Sequence, residues 1–189
     1  MRELTILGIA GSLRRASYNR GLVRAAVEVA PAGIIIETCE LGSIPLFNQD
    51  VEDAGEPEAV ATFKAAIARS DALLVATPEY NHGVPGVLKN ALDWASRPRI
   101  ASPLRDKSVA VMGASPGRGS TARAQAQLRD AFVFSGACVM PLPELLVGGA
   151  ASHFDGDGNV TDPALRASIA ELIDALADWT VRIDVRRAA

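Results

Sequence analysis

Leu4-Thr5-Ile6-Leu7-Gly8-Ile9, followed by Gly11-Ser12-Leu13-Arg14-Arg15-Ala16-Ser17-Tyr18-Asn19, leads into a segment whose apolar residues Leu22, Val23, Ala26, Val27 and Ala30 fall at helical spacing. A six-residue apolar run reads as a buried strand, and spacings of three and four read as one face of a helix. The same alternation recurs down the chain. Further apolar runs lie at Ile34 to Leu41, Ala72 to Ala76, Ser108 to Met112 and Cys138 to Leu142. Helical stripes separate or follow them: Val60, Phe63 and Ile67, then Val87, Leu88, Ala91, Leu92 and Ala95, then Leu128, Ala131, Phe132 and Ser135. Leu165, Ile169, Leu172, Ile173 and Leu176 close the series. Five strand-helix units in sequence predict a three-layer α/β fold, a doubly wound five-stranded parallel sheet with helices on both faces. With no internal repeat, low-complexity tract or linker, residues 1–189 are expected to form one domain.

Composition narrows the partners. Lys plus Arg total 19 against 22 Asp plus Glu, a net charge of -3. That excludes the basic footprint of a nucleic-acid binder and points to small molecules and further copies of the chain. No apolar run reaches the ~18 residues of a membrane span, and none resembles the core of an export signal. The cytoplasm is therefore the expected compartment, with Cys39 and Cys138 as small hydrophobes.

In a doubly wound sheet, ligands bind beyond the carboxyl ends of the strands at the switch in strand order, so the loops after strands one, three and four matter most. The first, Gly11 to Asn19, holds neither a dinucleotide-type nor an NTP-type glycine motif. It offers the hydroxyls of Ser12 and Ser17, the amide of Asn19, the guanidinium groups of Arg14 and Arg15, and the N–H groups of a helix start. Together these suit a terminal phosphate dianion such as that of FMN. An ordinary helix cap at Ser17 or Asn19, with solvated arginines, is the alternative. The second loop, Thr77-Pro78-Glu79-Tyr80-Asn81-His82-Gly83-Val84-Pro85-Gly86, has a backbone path fixed by prolines and glycines. Such a path can present N–H groups to the edge of a flavin. The third, Gly113-Ala114-Ser115-Pro116-Gly117-Arg118-Gly119-Ser120, allows close approach of a flat ring.

Carrying these motifs, together with Pro85-Gly86-Val87-Leu88-Lys89-Asn90-Ala91-Leu92-Asp93-Trp94, the chain resembles the NADPH-dependent FMN reductase family over essentially its whole length. The resemblance implies a flavodoxin-like sheet in the order 2-1-3-4-5, bound FMN, and NADPH or NADH as co-substrate. It implies electron transfer to quinones or similar small acceptors, free flavin, chromate and azo compounds among them. No side chain need act as a catalytic acid or base, since the flavin carries the chemistry. The implied cofactor residues are Gly11, Ser12, Leu13, Arg14, Ser17, Tyr18 and Asn19 from the first loop, Pro78, Glu79, Tyr80 and Asn81 from the second, and Ser115, Pro116 and Gly117 from the third. A homodimer or homotetramer is implied as well. The alternative function is an FMN electron carrier of the flavodoxin type, or a flavin-binding regulatory protein without NAD(P)H turnover; a net charge of -3 lacks the acidic docking face such a carrier uses.

Other residues carry less. His82 and His153 have no cysteine or carboxylate cluster at ligand spacing, so no metal site is expected. Asp155-Gly156-Asp157-Gly158-Asn159 has the look of a calcium loop, but the sixth position is Val160 and the twelfth Arg166, and it reads as a polar turn before a helix started by Asp162 and Pro163. Asp93, Trp94 and Arg118 are open between site and scaffold roles. Placing Cys39 and Cys138 on opposite sheet edges, about 19 Å apart at four strand spacings, excludes a disulfide between them.

Overall fold

The computed structural model describes residues 3–188. Strands β1 (Leu4–Ala10), β2 (Ile34–Cys39), β3 (Ala72–Ala76) and β4 (Ser108–Ala114) alternate with helices α1 (Tyr18–Val29), α2 (Gln49–Ala54), α3 (Glu58–Arg69) and α4 (Gly86–Ala95). Helix α5 (Ala122–Phe134), strands β5 (Cys138–Val139) and β6 (Leu145–Val147), and helix α6 (Pro163–Ala188) complete the chain. The sheet is parallel throughout and runs β2-β1-β3-β4-β5, with β6 also on β4.

The period of two along each strand divides the core between two faces. Ile6, Leu74, Ala72, Ala76, Ala110 and Ala114 face α1 and α6, whereas Leu7, Ile9, Leu73, Val75, Val109 and Val111 face α3, α4 and α5. Alanines dominate the central strands on the first face, which lets α1 and α6 sit close to the sheet and to each other. Large aliphatics fill the second, where Trp94 and Phe132 are fully buried. Each such side chain contributes roughly 1.5–3 kcal/mol through burial.

The fifth strand departs from expectation. Only Cys138–Val139 pair there, opposite Ser108 and Val109. The chain then leaves the sheet and returns as β6 opposite Met112 to Ala114. Pro141 and Pro143 explain the break, because a proline lacks the N–H that a ladder needs. The observed order puts β2 and β5 at opposite ends of the path, and no disulfide joins Cys39 to Cys138. Helix α2, which buries no residue, had no apolar stripe to announce it; Asn48 starts it by accepting the N–H of Asp50 at 2.9 Å.

Candidate functional site

Gly113 decides how closely the second and third loops approach at the carboxyl end of the sheet. A Cβ there would lie 2.2 Å from Thr121 Oγ1 and 2.4 Å from the Thr77 carbonyl, so no other residue fits. Beside this junction, a cavity of about 340 Å³ opens among the loops after β1, β3 and β4.

From the first loop, Ser12, Arg14, Ser17, Tyr18 and Asn19 line it. Ser17 caps α1, its hydroxyl accepting the N–H groups of Asn19 at 3.2 Å and Arg20 at 3.4 Å. An accepting hydroxyl still carries a donor of its own, so Ser17 can cap the helix and donate into the cavity. Ser12 is buried, with its oxygen 3.4 Å from the Tyr80 hydroxyl. Arg14 is solvent-exposed, and its guanidinium lies 5.3 Å from the centre of the Tyr18 ring. Among the described residues it forms no ion pair with a carboxylate, which leaves its charge available to an anion.

Asn19 lines the cavity and also bonds its wall. Its amide is 2% exposed and turned inward, donating to the Ala114 carbonyl at 2.9 Å and accepting the Ala114 N–H at 2.9 Å. It ties the start of α1 to the end of β4 through one donor and its acceptor, leaving the second amide N–H unspent.

The second loop supplies Pro78, Glu79 and Tyr80 to the lining. Tyr80 and Gly83 exchange backbone hydrogen bonds of 3.1 and 3.0 Å across Asn81 and His82, whose φ values of 50° and 63° make the tight turn that reverses the chain. Asn81 sits at the exposed tip, outside the lining. Gln127 braces the turn by donating to the His82 carbonyl and accepting the Val84 N–H. Glu79 points away from solvent. One carboxylate oxygen accepts the N–H groups of Arg123 at 2.9 Å and Ala124 at 3.0 Å, capping α5 in place of its own Thr121. This anion in the lining is thus neutralised by a helix start and by Arg123, 3.7 Å away.

The third loop contributes Ala114, Ser115 and Pro116. Ser115 is bracketed by two backbone bonds: its N–H donates to Val147 of β6 at 3.0 Å, and its carbonyl accepts from Ala150 at 3.1 Å. Gly117 donates to the Ser115 hydroxyl at 3.2 Å but stays outside the lining. Gly11 is buried beneath the first loop, bonded to Ala76, and Leu13 is exposed at its crest.

Of the residues left open, Trp94 belongs to the scaffold. Trp94 is fully buried and donates its indole N–H to the Pro45 carbonyl at 2.9 Å. Asn90 reinforces the same segment, accepting the Phe47 N–H at 2.7 Å and donating to Pro45 at 2.8 Å. Asp93 pairs with Lys89 at 2.7 Å, and Arg118 is exposed. His153 bonds Asp162 at 2.6 Å, which holds that carboxyl below its usual range, helped by the Ala164 N–H. Asp155 is likewise lowered, first by the backbone N–H of Asn159. Burial pushes the Cys39 thiol up to about 12, with Glu40 adding to the effect and Arg69 opposing it. Among the described residues no cluster of His, Cys, Asp and Glu could hold a metal ion, and no helix is long and apolar enough to cross a membrane.

The family model described as NADPH-dependent FMN reductase matches residues 4–152. An NAD(P)H-dependent FMN reductase of Pseudomonas aeruginosa is 44% identical over 181 residues, 96% of this chain and 97% of that protein. A 2-hydroxy-1,4-benzoquinone reductase of a Burkholderia species is 40% identical over 93% of this chain and 96% of its own length. Among solved structures, the flavoenzyme NAD(P)H:(acceptor) oxidoreductase FerB of Paracoccus denitrificans superposes with a TM-score of 0.86 at 36% identity, covering 95% of this chain and 98% of that one.

Proposed function

The chain belongs to the NADPH-dependent FMN reductase family, and from that premise we propose that it is an FMN-containing reductase passing electrons from NADPH or NADH to quinones or similar small acceptors. The observation that carries the reading is the cavity itself. One end joins a helix start, two serine hydroxyls and an unpaired guanidinium, and the other presents Pro78 and the Tyr80 ring. That donor set fits a phosphate dianion at Ser12, Arg14 and Ser17, with the flat ring system between the second loop and Ser115. Asn19 holds the wall through its bonds to Ala114 and keeps its second amide N–H for the phosphate end of the cavity. FMN, when bound, supplies the two-electron chemistry, and the protein binds and orients it.

The protein's own contribution is rigidity. Gln127 and Glu79 fix the second loop against α5, and the strand β6 segment fixes Ser115. These supports keep the lining in place while two substrates visit in turn. The exposed Leu13 and Tyr80, each 53% accessible beside the cavity, favour a homodimer or tetramer covering that mouth, and we place the protein in the cytoplasm.

Fluorescence titration of flavin-stripped protein with FMN and with riboflavin tests the placement. Arg14→Ala should raise the FMN dissociation constant about 10- to 150-fold, from the roughly 1.5–3 kcal/mol of a charged hydrogen bond, with riboflavin nearly unaffected. Arg15→Ala should bind both as the parent does. Equal losses for both ligands in Arg14→Ala would move the phosphate elsewhere. NAD(P)H oxidation by the purified protein, with and without a quinone, tests the activity.

A further inference from the structure

We propose that the loop Phe154–Val160 is the rear wall of the phosphate-binding segment, and that Arg24, which clamps this loop, is a positioning residue for the FMN phosphate. The inference rests on the phosphate placement above. The loop is a closed unit. Phe154 and Val160 pair across its base, and the Asp155 carboxylate accepts the N–H groups of Asp157 at 3.0 Å and Asn159 at 2.8 Å. The Asn159 side-chain amide donates to the same carboxylate at 3.0 Å.

This unit rests directly against the residues that begin α1. A Cβ on Gly158, whose φ is +77°, would lie 2.8 Å from the Ala16 carbonyl oxygen and 3.2 Å from that of Ser17. From the other side, a Cβ on Gly21 would lie 1.8 Å from the Gly158 carbonyl. Backbone meets backbone, with no flexible side chain to absorb a shift. Phe154 adds a second contact, its ring 4.8 Å from that of Tyr18, the same ring that carries the Arg14 guanidinium. A displacement of the loop therefore reaches Ser17 through Gly158 and Arg14 through Tyr18.

Arg24 holds the unit in place. Two turns along α1 from Ser17, its guanidinium donates to Asn159 Oδ1 at 3.1 Å and to the carbonyls of Asp157 at 3.3 Å and Gly158 at 3.0 Å. One side-chain oxygen that a calcium ion would take in a loop of this composition, Asn159 Oδ1, is thus held by a cation of the chain itself. Only a planar fork satisfies all three acceptors at once, a geometry that lysine lacks.

The test is the ratio of riboflavin to FMN dissociation constants in full-length, flavin-stripped protein, read by flavin fluorescence, with thermal unfolding recorded alongside. Arg24→Ala should lower the ratio by about 2- to 30-fold, the range for residues that act on a site through packing, while riboflavin affinity stays near that of the parent. Arg24→Lys should fall between the two. Phe154→Leu, which reaches the site through Tyr18, should lower the ratio as well and serves if Arg24→Ala does not fold. An unchanged ratio in the variants, beside a parent that prefers FMN, overturns the inference. A parent that binds both flavins equally overturns the phosphate placement itself.

Discussion

Asn19→Ala probes the tie between the first and third loops most directly. The substitution removes a donor and an acceptor at 2.9 Å each, both made to Ala114, which is itself 2% exposed. The Ala114 N–H and carbonyl are then left buried without that partner, at a cost of about 1–3 kcal/mol apiece. A loss of about 2–6 kcal/mol is expected. With a urea slope of roughly 2–3 kcal/mol per molar, the unfolding midpoint should fall by about 1–3 M. Asn19→Asp should fare no better, since it keeps the acceptor but sets a carboxylate oxygen against the Ala114 carbonyl. Urea titrations followed by circular dichroism measure the stability, and parallel FMN and riboflavin titrations measure the site. The reasoning fails if Asn19→Ala keeps the parent midpoint while losing its preference for FMN over riboflavin. That outcome would mean that the amide serves the phosphate and that its bonds to Ala114 contribute nothing.

Gly113→Ala should destabilise the fold by at least about 1–3 kcal/mol, because the added methyl meets the Thr77 carbonyl, which cannot turn aside; a melting temperature equal to the parent's would contradict the packing. Cys39, held up to about 12 by burial, should resist iodoacetamide at pH 8 until the protein is unfolded, when both thiols should react. Its raised value also means that stability declines as pH rises from about 9 towards about 12, an alkaline loss that Cys39→Ser should remove. Asp162, held low by His153, contributes stability above the ordinary carboxylate range and loses it as pH falls through its lowered value. The melting-temperature gap between Asp162→Asn and the parent should therefore narrow on acidification, and a gap that widens would reverse the assignment.

The strands and the three loops around the cavity were legible because apolar runs and glycine- or proline-rich turns are local signals, whereas the lateral order of the strands came only with the family resemblance. What escaped was the direction in which polar side chains point. Asn19 and Ser17 stand two residues apart with similar chemistry, yet one is spent on Ala114 and the other caps a helix at the cavity. Glu79 looks like a cavity carboxylate in sequence, but its partners are backbone groups of Arg123 and Ala124. The run from Asn90 to Trp94, specific as a family mark, turns out to pin the Pro45 to Phe47 segment. Apart from the Ser17 cap, which is local, each of these choices is settled by a residue dozens of positions away, which no period or spacing encodes. The split of the fifth strand was, by contrast, open to notice, since Pro141 and Pro143 stand in and beside the expected run.

The Asn19 and Arg24 bonds also set an order of events during synthesis. The segment proposed to hold the phosphate lies near the start of the chain, but it is held by Ala114, 95 residues downstream, and by Asp157 to Asn159, reached from Arg24 across 133 to 135 residues. Contacts of such long reach form late, after the loop-closure entropy between them has been overcome. A nascent chain can therefore build β1, α1 and β3 early yet lacks the wall behind Ser17 until the residues around 158 have left the ribosome. On the proposed placement, cofactor capture becomes a checkpoint on nearly complete synthesis, and a chain broken off before that loop carries the residues of the first loop without the means to hold them.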